Sequence, residues 1–220
     1  MDPQHANGPL VGMKVLDLSE GVAGPFCAKL LGDLGASVVK VEPPGGDVMR
    51  SAGPFGKGAS WEASASFFFF NTSKRGIVLD LADESGRRHL QQLVTRYDIV
   101  IASDTDEGLT RRGIGYEQLK LWNPAVILCT VSGFGSFGPN SAWQSSHLVN
   151  CAVGGWAHLC GVPEREPLQA GGVISETLAG AFAAVATQLA ALGRARHGQG
   201  EHVDISTQEA VIAAAQMPTL

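Results

Sequence analysis

Two side chains stand where their types and surroundings suit covalent or acid–base chemistry. Glu176 lies in Ser175-Glu-Thr-Leu-Ala-Gly180, at the opening of an Ala-rich stretch with helical spacing. A helix N-terminus stabilises a carboxylate and offers backbone N–H groups to a developing oxyanion. A carboxylate held there can attack an activated carbonyl. The same position also suits a carboxylate that merely begins a helix, and both readings stand. His147, in Ser145-Ser-His-Leu-Val149, is the second candidate. An imidazole titrates near neutral pH and can serve as a base, or it is simply a loop side chain. His89 and His158 fall on helical stretches and read as ordinary surface or packed residues. The cysteines at 27, 129, 151 and 160 show no CxxC or metal-ligand spacing, so no metal site is expected. Gly21-Val-Ala-Gly24, after the first apolar run, is not a GxGxxG element, so it carries no dinucleotide fingerprint.

The elements that must position these residues alternate in type. Met13-Lys-Val-Leu-Asp-Leu18 predicts a strand, Pro25 to Leu34 a helix stopped by Gly35, and Ser37 to Val41 a second strand. Pro43 to Ser66 is rich in Gly, Pro and Ser and predicts a long surface loop. Further strands are expected over Gly76–Leu81, Asp98–Ala102, Ala125–Val131 and Glu201–Ile205. Helices are expected from Asp83 to about Arg96, over Tyr116–Trp122, around Gly154-Gly155, along the Ala-rich stretch and from Ser206 onward. This alternation predicts an α/β, doubly wound parallel sheet, with ligands at the carboxyl ends of the strands. The Gly-rich loops after Leu18, Val41 and Val131 are then the binding loops.

Composition narrows the class. The 220 residues are 45% hydrophobic and carry a net charge of −5, with no Lys/Arg run to suggest a nucleic-acid partner. Met1 to Pro9 is polar and lacks the apolar core of a signal peptide. No stretch reaches the roughly 18 uncharged apolar residues of a membrane helix. The longest candidate, Ala179 to Leu192, reads as a buried helix. Cysteine usage fits a reducing cytoplasm. The last residues stop inside a helix pattern, which reads as a domain cut.

Several segments together resemble the type III CoA-transferase family, which includes formyl-CoA and carnitine CoA-transferases and α-methylacyl-CoA racemases. They are Val15-Leu-Asp-Leu-Ser-Glu-Gly-Val-Ala-Gly-Pro25 running into Leu31-Gly-Asp-Leu-Gly-Ala36, then Val39-Lys-Val-Glu-Pro-Pro-Gly-Gly-Asp47 with Arg50. Asn71-Thr-Ser-Lys-Arg75, Asn123-Pro-Ala-Val-Ile-Leu128, Val131-Ser-Gly-Phe-Gly135 and Gly198-Gln-Gly-Glu-His-Val-Asp-Ile-Ser206 continue the match in order. The resemblance implies a Rossmann-like large domain over residues 12–205, preceded by a flexible arm over 1–11. Residues 206–220 would begin the helix leading to a small domain. It implies an interlinked homodimer in the full-length form, acyl-CoA and a carboxylic acid as substrates, and no permanently bound cofactor; that no nucleic acid or membrane is expected follows from composition.

The family's nucleophile is an Asp opening the long helix four residues before a Gly, a place that Glu176 occupies here. It would form an acyl anhydride and then an enzyme–CoA thioester. The racemase branch pairs a His with that acid, and its His aligns one position before His147. For coenzyme A, the resemblance points to the backbone of Val22 and Ala23, to Leu79 beside the adenine, and to Arg50, Lys74, Arg75 and Arg111 for the phosphates. One segment departs. Where relatives commonly read Glu-Asn-Phe-Arg-Pro-Gly, this chain has Ala102-Ser-Asp-Thr-Asp-Glu107, which loses an Arg and adds acid near the polyphosphate. The alternatives to a transferase are a racemase or isomerase using His147 with Glu176, and a non-catalytic acyl-CoA-binding or assembly domain. Because a ligand that binds only the native state raises its stability, coenzyme A is expected to raise the melting temperature of the full-length protein and NAD or NADP to leave it unchanged. A shift with NAD alone would refute the ligand class.

Overall fold

The computed structural model describes residues 8–56 and 64–215. The middle of the loop expected over 43–66 therefore lies outside the described residues, as does most of the arm expected over 1–11. Of that arm, Leu10 donates its N–H to the Leu34 carbonyl at 3.0 Å. Six strands form one sheet in the order β3-β2-β1-β4-β5-β6. They are β1 (Lys14–Asp17), β2 (Ser37–Glu42), β3 (Lys74–Val78), β4 (Ile99–Ala102), β5 (Ile127–Ser132) and β6 (His202–Ser206). All the pairings are parallel. The strand order reverses at β1, between β2 and β4, the place where such sheets open a crevice at their carboxyl edge.

The central strands are apolar on both faces, as a sheet covered on both sides requires. Val15, Ile99, Ile101 and Cys129 point into a core shared with α1 (Ala23–Asp33) and α8 (Ile174–His197). Leu16, Val100 and Leu128 point into the opposite core with Leu90 and Val94 of α3 (Glu84–Val94) and Leu119 of α5 (Tyr116–Trp122). The remaining helices are α2 (Ala65–Asn71), α4 (Asp106–Arg111), α6 (His147–Val153), α7 (Trp156–Leu159) and α9 (Thr207–Ala214).

Two local expectations are corrected and one helix is added. β3 begins at Lys74 rather than Gly76 and stops at Val78, because its register runs from Val38 opposite Lys74 to Glu42 opposite Val78 and ends with its neighbour. After β4 comes a helix that no expectation covered. Thr105 accepts the Gly108 N–H at 3.1 Å and caps α4. Gly154-Gly155 is a break rather than a helix centre. Gly155 has φ of 84°, a conformation that disfavours side chains, and separates α6 from α7.

α8 brings Glu176 into the fold and lies against α1 through small residues, with Ala179, Gly180, Ala183 and Ala184 buried. A Cβ on Gly180 would stand 2.5 Å from the Ala23 carbonyl oxygen and 3.1 Å from the Phe26 side chain. Only one face of α8 is covered, against the expectation of a buried helix. Phe182, Val185, Leu189 and Leu192 form an exposed stripe at helical spacing, 44–63% accessible. By length and composition alone this helix would suffice to cross a membrane. The contact at Gly180 predicts that Gly180→Val lowers unfolding free energy by about 1–3 kcal/mol through overpacking, read from urea denaturation. Gly193→Ala, whose new methyl would come nearest the far end of His197 at 3.2 Å, should hold or raise stability because Ala favours helix. Equal effects of the two would contradict the packing.

Candidate functional site

The first binding loop is fixed from below by four buried charges. Asp17 closes β1 and is wholly inaccessible; Lys40 of β2, Lys74 of β3 and Asp47 surround it, all 3% exposed or less at the side chain. Lys74 Nζ donates to Asp17 Oδ2, the Pro25 carbonyl and Asn71 Oδ1, each at 2.8 Å. Lys40 Nζ donates to the Ser19 carbonyl at 2.8 Å and lies 2.8 Å from Asp47 Oδ2. Asp17 accepts from Ser19 N and Ser19 Oγ, and Asp47 Oδ1 accepts from Gly21 N at 3.3 Å. The loop from Ser19 to Pro25 is thus gripped at three points. Burial alone would raise the Asp17 carboxyl, but the charges of Lys40 and Lys74 outweigh it and hold the group below its usual range. Burial lowers Lys74, whereas for Lys40 the facing carboxylates overcome burial and raise it. Beside them Arg50 binds Glu42 through two nitrogens at 2.6 and 2.8 Å, which keeps the Glu42 carboxyl low.

Above this floor, Val22 caps α1 and Ala23 begins it. Both line a cavity of about 570 Å³ together with Glu176, Arg111, Trp143 and a wall of hydroxyl-bearing residues that includes Ser132, Ser145 and Thr207. Glu176 sits in the first turn of α8, placed opposite Ala23 by the close approach one turn later at Gly180. His147 opens α6, where Ser146 caps the helix by accepting the Val149 N–H. The two candidate residues therefore meet. His147 Nδ1 is 3.0 Å from Glu176 Oε2 and 2.7 Å from Ser175 Oγ, while Ser175 Oγ donates to the same Oε2 at 2.8 Å. His147 Nε2 lies 3.0 Å from the Ala170 carbonyl, which can only accept. The set closes when both ring nitrogens carry protons, with Nδ1–H shared between Ser175 Oγ and Glu176 Oε2. Cys151, one turn along α6, is 3.8–3.9 Å from the ring. Burial first, then the Glu176 charge, raises its thiol, so it stays neutral.

A second cavity of about 390 Å³ adjoins the first. Glu20 and Ser103 line both, so a groove runs along the carboxyl edge from Leu79 to Glu176. Of the cofactor-binding candidates, Val22, Ala23, Leu79 and Arg111 line this groove. Three cations do not. Lys74 has every N–H engaged inside the protein and is 2% exposed, so it is a buried structural cation. Arg50 is held by Glu42 and stacks 3.9 Å from the Phe67 ring centroid. Arg75 donates to Ser37 Oγ at the amino end of β3. Arg50, Lys74 and Arg75 instead share a separate hollow of about 140 Å³. Sequence reasoning missed the groove's own cations, Arg87 and Arg112. The doublet Arg111-Arg112 was the available signal. Arg112 also answers the acid introduced by the departing segment, since it binds Asp104 Oδ2 at 2.7 Å. Ser103 Oγ donates to the Glu20 carbonyl at 2.9 Å, tying that segment to the first loop. Glu20 itself is raised, by burial first and then by the charge of Asp47. The far wall is set by Asp204 of β6, which accepts from Ser136 N at 2.8 Å and from Ser136 Oγ and Thr130 Oγ1 at 3.0 Å.

The profile of CoA-transferase family III matches residues 10–220. The chain belongs to that family. It is 34% identical to succinate–glutarate CoA-transferase of Agrobacterium fabrum, over 98% of this chain and 56% of that protein. It is 38% identical to succinyl-CoA–D-citramalate CoA-transferase of Chloroflexus aurantiacus, over 97% of this chain and 52% of that protein. A solved CaiB/BaiF family protein from Brucella suis is 36% identical with a TM-score of 0.90, covering 96% of this chain and 56% of that one. The chain thus spans about half the length of the curated relatives it matches.

In this family III member the buried charges yield a testable pH dependence. Asp17 and Glu42 ionise below their ordinary values of 3.8 and 4.5 in the folded state. Their contribution to stability is complete above those values and is lost as pH falls through and below them, because the unfolded chain then binds more protons. Asp17→Asn leaves Lys40 and Lys74 under-compensated and should cost about 3–5 kcal/mol at neutral pH. It should also flatten the acid limb of stability measured by urea titration. An unchanged acid limb would refute the role given to Asp17.

Proposed function

We propose that the protein moves coenzyme A between an acyl-CoA and a free carboxylic acid, with Glu176 as the covalent carrier. The observation that supports it best is the divided environment of the Glu176 carboxylate. It lines the cavity at the α8 N-terminus, with Oε2 bound by Ser175 and His147 and no hydrogen bond to Oε1 among the described residues. In the proposed sequence, a carboxylate oxygen of Glu176 attacks the thioester carbon and the C–S bond breaks, giving an acyl anhydride and CoA thiolate. The thiolate attacks the Glu176 carbonyl and expels the donor acid, leaving a Glu176–CoA thioester. The acceptor carboxylate displaces CoA to form a new anhydride, and the returning thiolate takes the acceptor acyl group and restores Glu176. Orientation of the reacting groups in the groove supplies much of the rate in such exchanges. The groove from Leu79 to Glu176 suits an elongated ligand with its adenine end at Leu79 and its phosphates near Arg111 and Arg112. Relatives named for succinate, glutarate and citramalate suggest dicarboxylic acids as the exchanged partners.

The racemase reading needs a basic nitrogen free to face a substrate α-carbon, and both nitrogens of His147 are occupied by the protein. The non-catalytic reading rests on the altered segment after β4 and on Glu in place of Asp at 176; Arg112 offsets the acid of that segment, and the trapping test below decides the second. The exposed stripe on α8 supports a homodimeric assembly, and the location proposed is the cytoplasm. The test of the carrier is chemical. With acyl-CoA present, hydroxylamine should convert Glu176 to a hydroxamate found by mass spectrometry of its peptide. Glu176→Gln should abolish transfer and trapping, while Glu176→Asp should still be trapped. A hydroxamate on any other carboxylate would rule out Glu176.

A further inference from the structure

Resting on Glu176 as the carrier, we propose that Ser175 Oγ and His147 Nδ1 form an oxyanion hole for the enzyme's own carbonyl, and that the two oxygens of Glu176 keep distinct roles through every turnover. Two donors converge on one atom, Oε2, at 2.8 and 3.0 Å. They are themselves fixed. Ser175 is fully buried, and the His147 ring is pinned at its other nitrogen by the Ala170 carbonyl and flanked by Cys151. Among the described residues Oε1 has no such partner. Oε1 is therefore the nucleophilic oxygen, and Oε2 remains the carbonyl oxygen of each covalent intermediate.

Two of the four steps occur at the Glu176 carbonyl carbon: attack of CoA thiolate on the first anhydride, and attack of the acceptor carboxylate on the thioester. In each, the π electrons of the C=O bond move onto Oε2 as the new bond forms. They return as the leaving group departs with its electron pair, as donor carboxylate in the first case and CoA thiolate in the second. The charge on Oε2 is transient, and preorganised donors aimed at such an atom are usually the largest single source of rate in acyl transfer. No proton is transferred in these steps, so His147 acts only as a hydrogen-bond donor from Nδ1. The titratable groups facing it are Glu176 and Cys151, with Cys160 beyond.

The oxygen bookkeeping makes the asymmetry measurable. When thiolate attacks the first anhydride, Oε1 leaves with the donor acid. After the last step, the oxygen that takes its place comes from the acceptor. With an acceptor acid labelled with heavy oxygen at both carboxylate positions, unlabelled acyl-CoA and many turnovers, the Glu176 peptide of the full-length protein should reach a plateau of one heavy oxygen. Two heavy oxygens at plateau would overturn the proposal, because the carboxylate would then be turning over freely. Ser175→Ala should lower kcat about 100- to 1,000-fold with little change in KM for acyl-CoA, and should admit the second heavy oxygen. His147→Leu should behave likewise. His147→Asn, whose amide nitrogen falls near the place of Nδ1, should restore the single-oxygen pattern. If Ser175→Ala retains both kcat and the single-oxygen pattern, the hole is not formed by these residues. Active protein with no heavy oxygen on Glu176 removes the carrier itself and this proposal with it, an outcome distinct from two oxygens.

Discussion

The position of Glu176 depends on how closely two helices can approach. α8 carries the carboxylate in its first turn, and one turn later Gly180 lets that helix touch the backbone of α1 at Ala23. The same α1 begins at the loop that lines the opposite wall. A side chain at 180 would push both walls apart together, so a single absent methyl sets the width of the cavity. Dense packing transmits such a displacement instead of absorbing it. This is why small residues run along the inner face of α8 while its large apolar residues are confined to the outer face.

Electrostatics supports the same wall from beneath. Two lysines and two aspartates without solvent would be costly if unpaired, yet each has a facing opposite charge and backbone partners. Their hydrogen bonds reach Ser19, Gly21 and Pro25, so buried charge fixes the loop alongside the burial of Val22 and Pro25. The groove above holds different cations, Arg111 and Arg112 at the end of α4, with Arg87 opposite. The division between structural and exposed positive charge therefore follows accessibility.

Much of this was legible in the sequence. Alternating apolar runs and Gly stops were enough for the doubly wound sheet, since its central strands are apolar on both faces. Glu176 and His147 could be singled out because the resemblance to the family marks their positions; a helix start and an imidazole alone left a capping carboxylate and a loop side chain equally open. Their contact could not be read, because it depends on α6 and α8 converging across 29 positions. Lys74 shows the converse failure. A lysine beside an arginine reads as a pair of surface cations, and only its position near the end of β1 turns it inward onto Asp17. The helix α4 was missed because its signals are a cap and a short polar run, without apolar periodicity. The covered and bare faces of α8 could not be told apart, because its apolar residues encircle the helix.

The clamp of Asp204 on Ser136 also has a consequence for the order in which the molecule is made. The wall of the cavity after β5 is held by a side chain 68 positions later. At ribosomal rates of about 5–20 residues per second, roughly 3–14 s separate the two. Through that interval β5, a nearly continuous apolar strand, is a sheet edge with no β6 beside it. Unpaired apolar edges are the surfaces on which nascent chains stick to one another. Newborn chains would therefore be most exposed to aggregation, and to capture by chaperones, in the seconds just before Asp204 emerges and the cavity wall is locked.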